Sequence, residues 1–98
     1  MALKTKPFDV AEQLDTPERI ALYLEAAFED GDPALIAAAI GDAARAYGMT
    51  RLAKDTGLAR EALYRALSED GNPEFATVLK VLKVFGLRLS ATEDQDAA

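Results

Sequence analysis

The 98 residues contain no cysteine and no histidine. Without cysteine there are no disulfides, no thiolate nucleophile and no thiolate metal site. Without histidine the usual acid–base group at neutral pH and the commonest metal ligand are missing. Tryptophan is absent as well, and aromatic residues make up only 7%. The unbroken apolar runs are short, far below the ~20 residues that span a bilayer. No basic, then apolar, then small-residue leader opens the chain, which points away from export and towards the cytoplasm. Gly-rich phosphate loops and Ser–His pairings are missing too. The chain therefore reads as a non-enzyme, with no cofactor implied and no membrane partner.

What is present is the profile of one small globular domain, 50% hydrophobic and 29% charged. The net charge of −6 conceals a division along the chain. Residues 1–44 hold three Lys/Arg against nine Asp/Glu, residues 45–90 hold eight against five, and residues 91–98 add three acids. A polyanion could bind only the middle section, and a basic protein could bind the N-terminal one.

Proline and glycine divide the chain into helices. Thr16-Pro17-Glu18, Asp32-Pro33-Ala34 and Asn72-Pro73-Glu74 each place an N-cap residue before a proline at the first helical position. Gly31, Gly48, Gly57, Gly71 and Gly86 stand where helices would stop in the left-handed C-cap conformation. Gly41 falls inside a helical pattern, which a close helix crossing would explain.

Between these marks Ile20, Tyr23, Leu24, Ala27 and Phe28 follow the spacing of one buried helix face, as do Ile36, Ile40, Ala43, Ala44 and Tyr47. Leu52 and Ala53 are the apolar pair of a short segment, and Leu63, Ala66 and Leu67 that of another. In the last helix, Glu74 to Phe85, the predicted inward residues are Phe75, Val78, Leu79 and Leu82. Lys80 and Lys83, three apart, favour helix there despite three valines. The spacing predicts five helices of about 14, 15, 7, 8 and 12 residues joined by tight turns. Leu87 to Ser90 alternates apolar and polar and is a possible short C-terminal strand, which a two-fold mate could pair with. Residues 1–15 read as an arm anchored by Phe8, Val10 and Leu14, residues 16–90 as the helical domain, and residues 91–98 as an acidic disordered tail.

The stretch Met49 to Leu67, MTRLAKDTGLAREALYRAL, has the makings of a helix-turn-helix. Ala53 supplies the small residue at the helix contact, Gly57 the positive φ of the turn, and Leu58 the apolar plug after it. Leu63 and Leu67 tie the second helix to the bundle, which turns Arg60, Glu61, Tyr64 and Arg65 outward. Arginine can hold a guanine edge or a phosphate, glutamate can accept from cytosine, and tyrosine can meet phosphate or a thymine methyl. Thr50 and Arg51, opening the preceding helix, are placed to meet backbone phosphates. Five Lys/Arg against two acids lie between Arg45 and Arg65, a modest local charge that makes dimerisation and salt dependence important.

The chain resembles the HigA-type addiction-module antidote proteins, small bacterial antitoxins with a lambda-repressor-like helix-turn-helix domain. The resemblance runs through YLEAAFEDGDP (residues 23–33) and then residues 39–89. It is carried by the acid-Gly-Asp-Pro junction, Ala-Arg-Ala-Tyr-Gly-Met, Leu-Tyr-Arg-Ala-Leu and the Gly-Asn-Pro turn. It implies an all-α, five-helix fold and a homodimer that binds double-stranded DNA at its own operator. It also implies neutralisation of a small basic toxin of the RelE/ParE superfamily. Thr50 and Arg51 match the phosphate-facing helix start, and Arg60, Glu61, Tyr64 and Arg65 the recognition helix. One departure is Ala59, where the family often has Ser or Thr; such a loss at an N-cap costs about 1 kcal/mol.

Other readings of the same residues remain open. Arg60, Glu61 and Arg65 could be a solvated face with an i,i+4 Glu61–Arg65 pair, and Tyr64 could pack on the last helix. Glu29, Asp30 and Asp32 lack the alternating oxygens of a calcium loop and suit cap and turn roles, so no metal is expected. The nine acids of the N-terminal section exceed what solubility requires, and acidic surfaces steer basic partners. Glu18, Glu25 and Glu29 are the candidate toxin contacts. A stand-alone or phage-derived repressor without a toxin, or an interaction module that has lost DNA, are the alternatives.

Overall fold

The computed structural model describes residues 10–95. A single 3-10 turn, Val10–Gln13, leads into five helices: α1 (Pro17–Asp30), α2 (Pro33–Tyr47), α3 (Met49–Thr56), α4 (Arg60–Ala66) and α5 (Phe75–Val84). The fold is all-α, as the periodicity predicts, with helices of 14, 15, 8, 7 and 10 residues. No helix among the described residues is long and apolar enough to cross a membrane. Leu87–Ser90 is irregular rather than a strand, because a lone segment has no ladder to join. Its burial nevertheless alternates, with Leu87 and Leu89 half-buried and Arg88 and Ser90 exposed.

The caps follow the sequence in part. Thr16 accepts the Arg19 amide at 3.1 Å with Pro17 opening α1. Asp32 precedes Pro33 as expected but makes no side-chain cap bond. The third cap is displaced: α5 starts at Phe75 with Glu74 as its N-cap, so Pro73 lies before the helix. Gly71 explains the delay. A Cβ there would lie 2.2 Å from the Ala66 carbonyl oxygen and 2.6 Å from that of Arg65, so the chain must first cross the end of α4. Gly71 thus serves close approach, whereas Gly31, Gly48, Gly57 and Gly86 have the positive φ expected of helix stops.

Four side chains are the largest of those wholly buried: Ile40, Leu52, Leu63 and Val81, one from each of α2 to α5. Each such burial contributes about 1.5–3 kcal/mol. Leu24 joins them from α1, and Leu14, just after the 3-10 turn, is also buried. Val10 is half-buried. Phe8 lies outside the described residues. Tyr23, Ile36, Tyr47, Ala53, Leu58, Ala66 and Val78 pack half-buried around this core. Of the predicted inward residues of α5 Leu82 is buried; the rest of its buried side falls later than predicted, on Val81 and on Phe85 at its C-cap, and α5 packs against α3. Phe75 and Leu79 are exposed, as is Phe28 of α1.

Tyr23 bridges α1 and α2, its hydroxyl donating to Asp42 Oδ2 at 2.6 Å. Partial burial, reinforced by the hydrogen bond to Asp42 and by its charge, pushes the phenol up to about 12, against a pull downward from Arg45. A raised phenol in the folded state contributes stability that is complete below the unfolded value near 10 and is lost as pH rises through the folded value. Wild-type thermal stability is therefore expected to fall between about pH 10 and 12 more steeply than that of Tyr23→Phe. Parallel curves for the two proteins would remove this bond from the account.

Candidate nucleic-acid interface

Met49–Ala66 consists of two short helices, each fixed to the core by a wholly buried leucine, Leu52 and Leu63, with Met49 also buried at the start of the first. The chain between them turns at Gly57, whose φ of 77° lies in the left-handed region that suits glycine. Its amide donates to the Ala53 carbonyl at 2.9 Å. The Thr56 hydroxyl donates to the Leu52 carbonyl at 2.8 Å and accepts the Leu58 amide at 3.2 Å, so the turn is held from both sides. Ala59 is the N-cap of α4 and, having no polar side chain, makes no cap bond.

With Leu63 and Leu67 buried, α4 has one free side. Arg60, Glu61, Tyr64 and Arg65 are all exposed on it, and Thr50 and Arg51 are exposed on the first turn of α3. The Arg60 guanidinium lies over the Tyr64 ring, 5.6 Å from its centroid, with Nη2 donating to the phenolic oxygen at 3.5 Å. No ion pair joins Glu61 to Arg65; the pairs formed elsewhere include Asp15–Arg19 and Asp42–Arg45. Tyr64 faces α2 and α3 rather than α5.

The structure brings four of these residues to an open cleft where the end of α2 and the start of α3 meet α4. Arg45, Arg51, Lys54 and Arg60 line it, together with Thr50 and Tyr64. Arg45 and Lys54 do not stand out as site residues in the sequence. Lys54 follows Thr50 by four positions, which puts both on one helix face. Arg45 belongs to a different helix, and no sequence spacing reveals its approach. Glu61 and Arg65 lie outside the cleft lining, on the same exposed side of α4.

Arg51 is held over the Tyr47 ring, its guanidinium carbon 4.1 Å from the centroid, a distance at which the ring face attracts a cation. The Tyr47 hydroxyl donates to Asp55 Oδ2 at 2.5 Å, and the ring tilts against Phe85 with centroids 5.8 Å apart. The bond to Asp55 foremost, then partial burial, raises the Tyr47 phenol above its usual value, against the pull of Arg51.

A second surface of opposite sign lies on α1. Glu18, Leu22, Glu25 and Glu29 follow helical spacing, and all four are exposed, Leu22 at 66%. Beside them a groove of about 600 Å³ runs between α1 and residues 87–92, with Leu22, Phe28, Leu87 and Leu89 on its walls and Glu25 and Glu29 at its edge. None of its residues lines the basic cleft. Among the described residues no group of acids is arranged to hold a metal ion.

Comparison with known proteins gives one family and one close relative of interest. The model of a family described as a probable addiction module antidote protein matches residues 4–93. A Haemophilus influenzae protein, itself described only as uncharacterized, is 45% identical over 97 residues, covering 99% of this chain and 100% of its own length. No solved structure matches significantly.

Proposed function

The chain belongs to the family of probable addiction module antidote proteins, and on that premise we propose that it is a HigA-type antitoxin. It binds double-stranded DNA through α3 and α4 and a basic toxin through α1. The observation that carries the DNA half is the convergence of Arg45, Arg51, Lys54 and Arg60 on one cleft in a protein of net charge −6. Cations gathered against the overall charge suit a polyanion that approaches at that place. Thr50, Arg51, Arg45 and Lys54 meet phosphates, while Arg60, Glu61, Tyr64 and Arg65 face the bases and the flanking backbone.

A homodimer would set two copies of α4 into successive major-groove faces about 34 Å apart. The alternating burial of Leu87–Ser90 supports that segment as the pairing edge. Among the described residues no backbone hydrogen bond uses the amides of Arg88, Leu89 or Ser90, and an unpaired edge accepts a mate. Binding the DNA ahead of its own gene would repress the operon.

The toxin half rests on the α1 stripe, where glutamates surround an exposed leucine at the edge of an apolar groove. The partner in this reading is a RelE/ParE-superfamily toxin, and one that cleaves RNA is expected to carry a basic surface, which this stripe complements. Reversing Glu18, Glu25 and Glu29 to lysine is expected to weaken capture of the neighbouring gene's product by about tenfold or more at low salt. Duplex binding should not weaken. Binding of each partner measured by calorimetry checks this, and unchanged capture would remove α1 as the toxin surface.

A further inference from the structure

Asp42 and Arg45 lie on α2, ahead of the helix-turn-helix, and no residue before Thr50 stands out in the sequence as a DNA contact. Asp42 Oδ1 holds Arg45 Nη2 at 3.0 Å, and its other oxygen accepts the Tyr23 hydroxyl at 2.6 Å. Both oxygens of this carboxylate are thus engaged, and its side chain is only 19% exposed. Arg45 is 45% exposed and reaches the rim of the basic cleft. Arg51, elsewhere on the cleft, is held in a parallel way by the Tyr47 ring, which Asp55 fixes in turn. Two arginines lining one cleft are therefore each steadied by a tyrosine–aspartate pair drawn from the surrounding helices.

Long side chains lose rotamer freedom when they engage a ligand, and a guanidinium oriented beforehand loses less. We propose that Arg45 is a DNA-phosphate contact supplied by α2 and that Asp42 is the positioning residue that aims it. The proposal rests on the reading of the cleft as a DNA interface. Asp42 could act on DNA in two ways that differ in sign. If it only neutralises Arg45, removing its charge strengthens DNA binding; if it aims Arg45, removing its charge weakens binding despite the gain of one positive unit.

The test is the affinity of the full-length protein for a short mixed-sequence duplex across a salt series, since phosphate contacts are independent of sequence. Arg45→Ala is expected to lower affinity and to reduce the salt slope by about 0.9. Asp42→Asn is expected to lower affinity about threefold to tenfold, with a smaller slope and an unchanged far-ultraviolet spectrum. In an Arg45→Ala background the same change should have no further effect. Asp42→Glu keeps the charge but displaces it, and should also weaken binding; it serves if Asp42→Asn does not fold. Equal or tighter binding by Asp42→Asn, or by Asp42→Glu where it is used, would overturn the positioning role. An unaltered salt slope in Arg45→Ala would overturn the contact itself. Absence of duplex binding by the wild type would overturn both this inference and the DNA reading beneath it.

Discussion

Replacing Arg60 and Arg65 together by alanine is expected to lower affinity for the duplex upstream of the gene by about a hundredfold or more, because a bidentate arginine–base contact is worth ~1–3 kcal/mol. Both side chains are exposed on the side of α4 turned away from Leu63 and Leu67. Among the described residues Arg65 makes no ion pair with Glu61, and Arg60 leans on Tyr64, one turn along the same helix. Melting of the variant should therefore stay close to wild type, since surface substitutions usually lie within about ±0.5 kcal/mol. A scrambled duplex should lose less affinity than the upstream duplex. That difference separates reading of bases from attraction to phosphate. Equal losses on both duplexes would reduce the two arginines to phosphate contacts, and no loss on either would remove α4 from the interface.

Gly41→Ala is expected to destabilise the protein by about 1–3 kcal/mol, the usual cost of overpacking a tight contact. The direction is informative because glycine within a helix ordinarily gives up about 1 kcal/mol to alanine. Here a Cβ would lie 2.1 Å from the Leu67 carbonyl oxygen and 3.2 Å from its carbon. A backbone carbonyl cannot rotate aside as a side chain would. Leu67 ends α4 and is itself buried, so α2 and α4 would have to separate. Duplex binding should suffer with stability, and urea denaturation alongside the binding assay would show both. A stabilised variant would mean that the backbones of α2 and α4 do not meet at Gly41.

The close approach at Gly41 is one of several features legible in the sequence, since a glycine in an otherwise regular helical pattern needs a packing reason. The helix count, the Thr16 cap, the start of α2 at Pro33 and the exposed set on α4 follow in the same way from local chemistry and a period of 3.6. The exposure of Phe28, Phe75 and Leu79 does not. Periodicity tells which side of a helix is apolar; it does not tell how far the neighbouring helix extends along it. Phe75 shares the stripe of Val78 and Leu82 but lies at the first residue of α5 and is 68% exposed, whereas Leu82, two turns on, is buried. The displaced start of α5 has the same origin, because Gly71 must first cross α4.

The site was partly legible for a related reason. Residues on α3 and α4 could be placed on a face from spacing alone, whereas Arg45 enters from α2 and depends on how α2 meets α3 at Gly48. That glycine, with φ of 108°, both closes α2 and opens α3, bringing the last turn of one beside the first turn of the other. The Tyr23–Asp42 and Tyr47–Asp55 bonds join residues 19 and 8 positions apart. Only the folded chain shows that each pair ends at an arginine of the cleft.

The most direct test of the account is the binding of the wild-type protein to the duplex immediately upstream of its gene, against a scrambled duplex of equal length, over a range of salt concentrations. The account predicts tight binding selective for the upstream duplex, weakening steeply with salt by about 0.9 in the log–log slope for each phosphate engaged. Binding that does not discriminate between the duplexes, or no binding even at low salt, would contradict it.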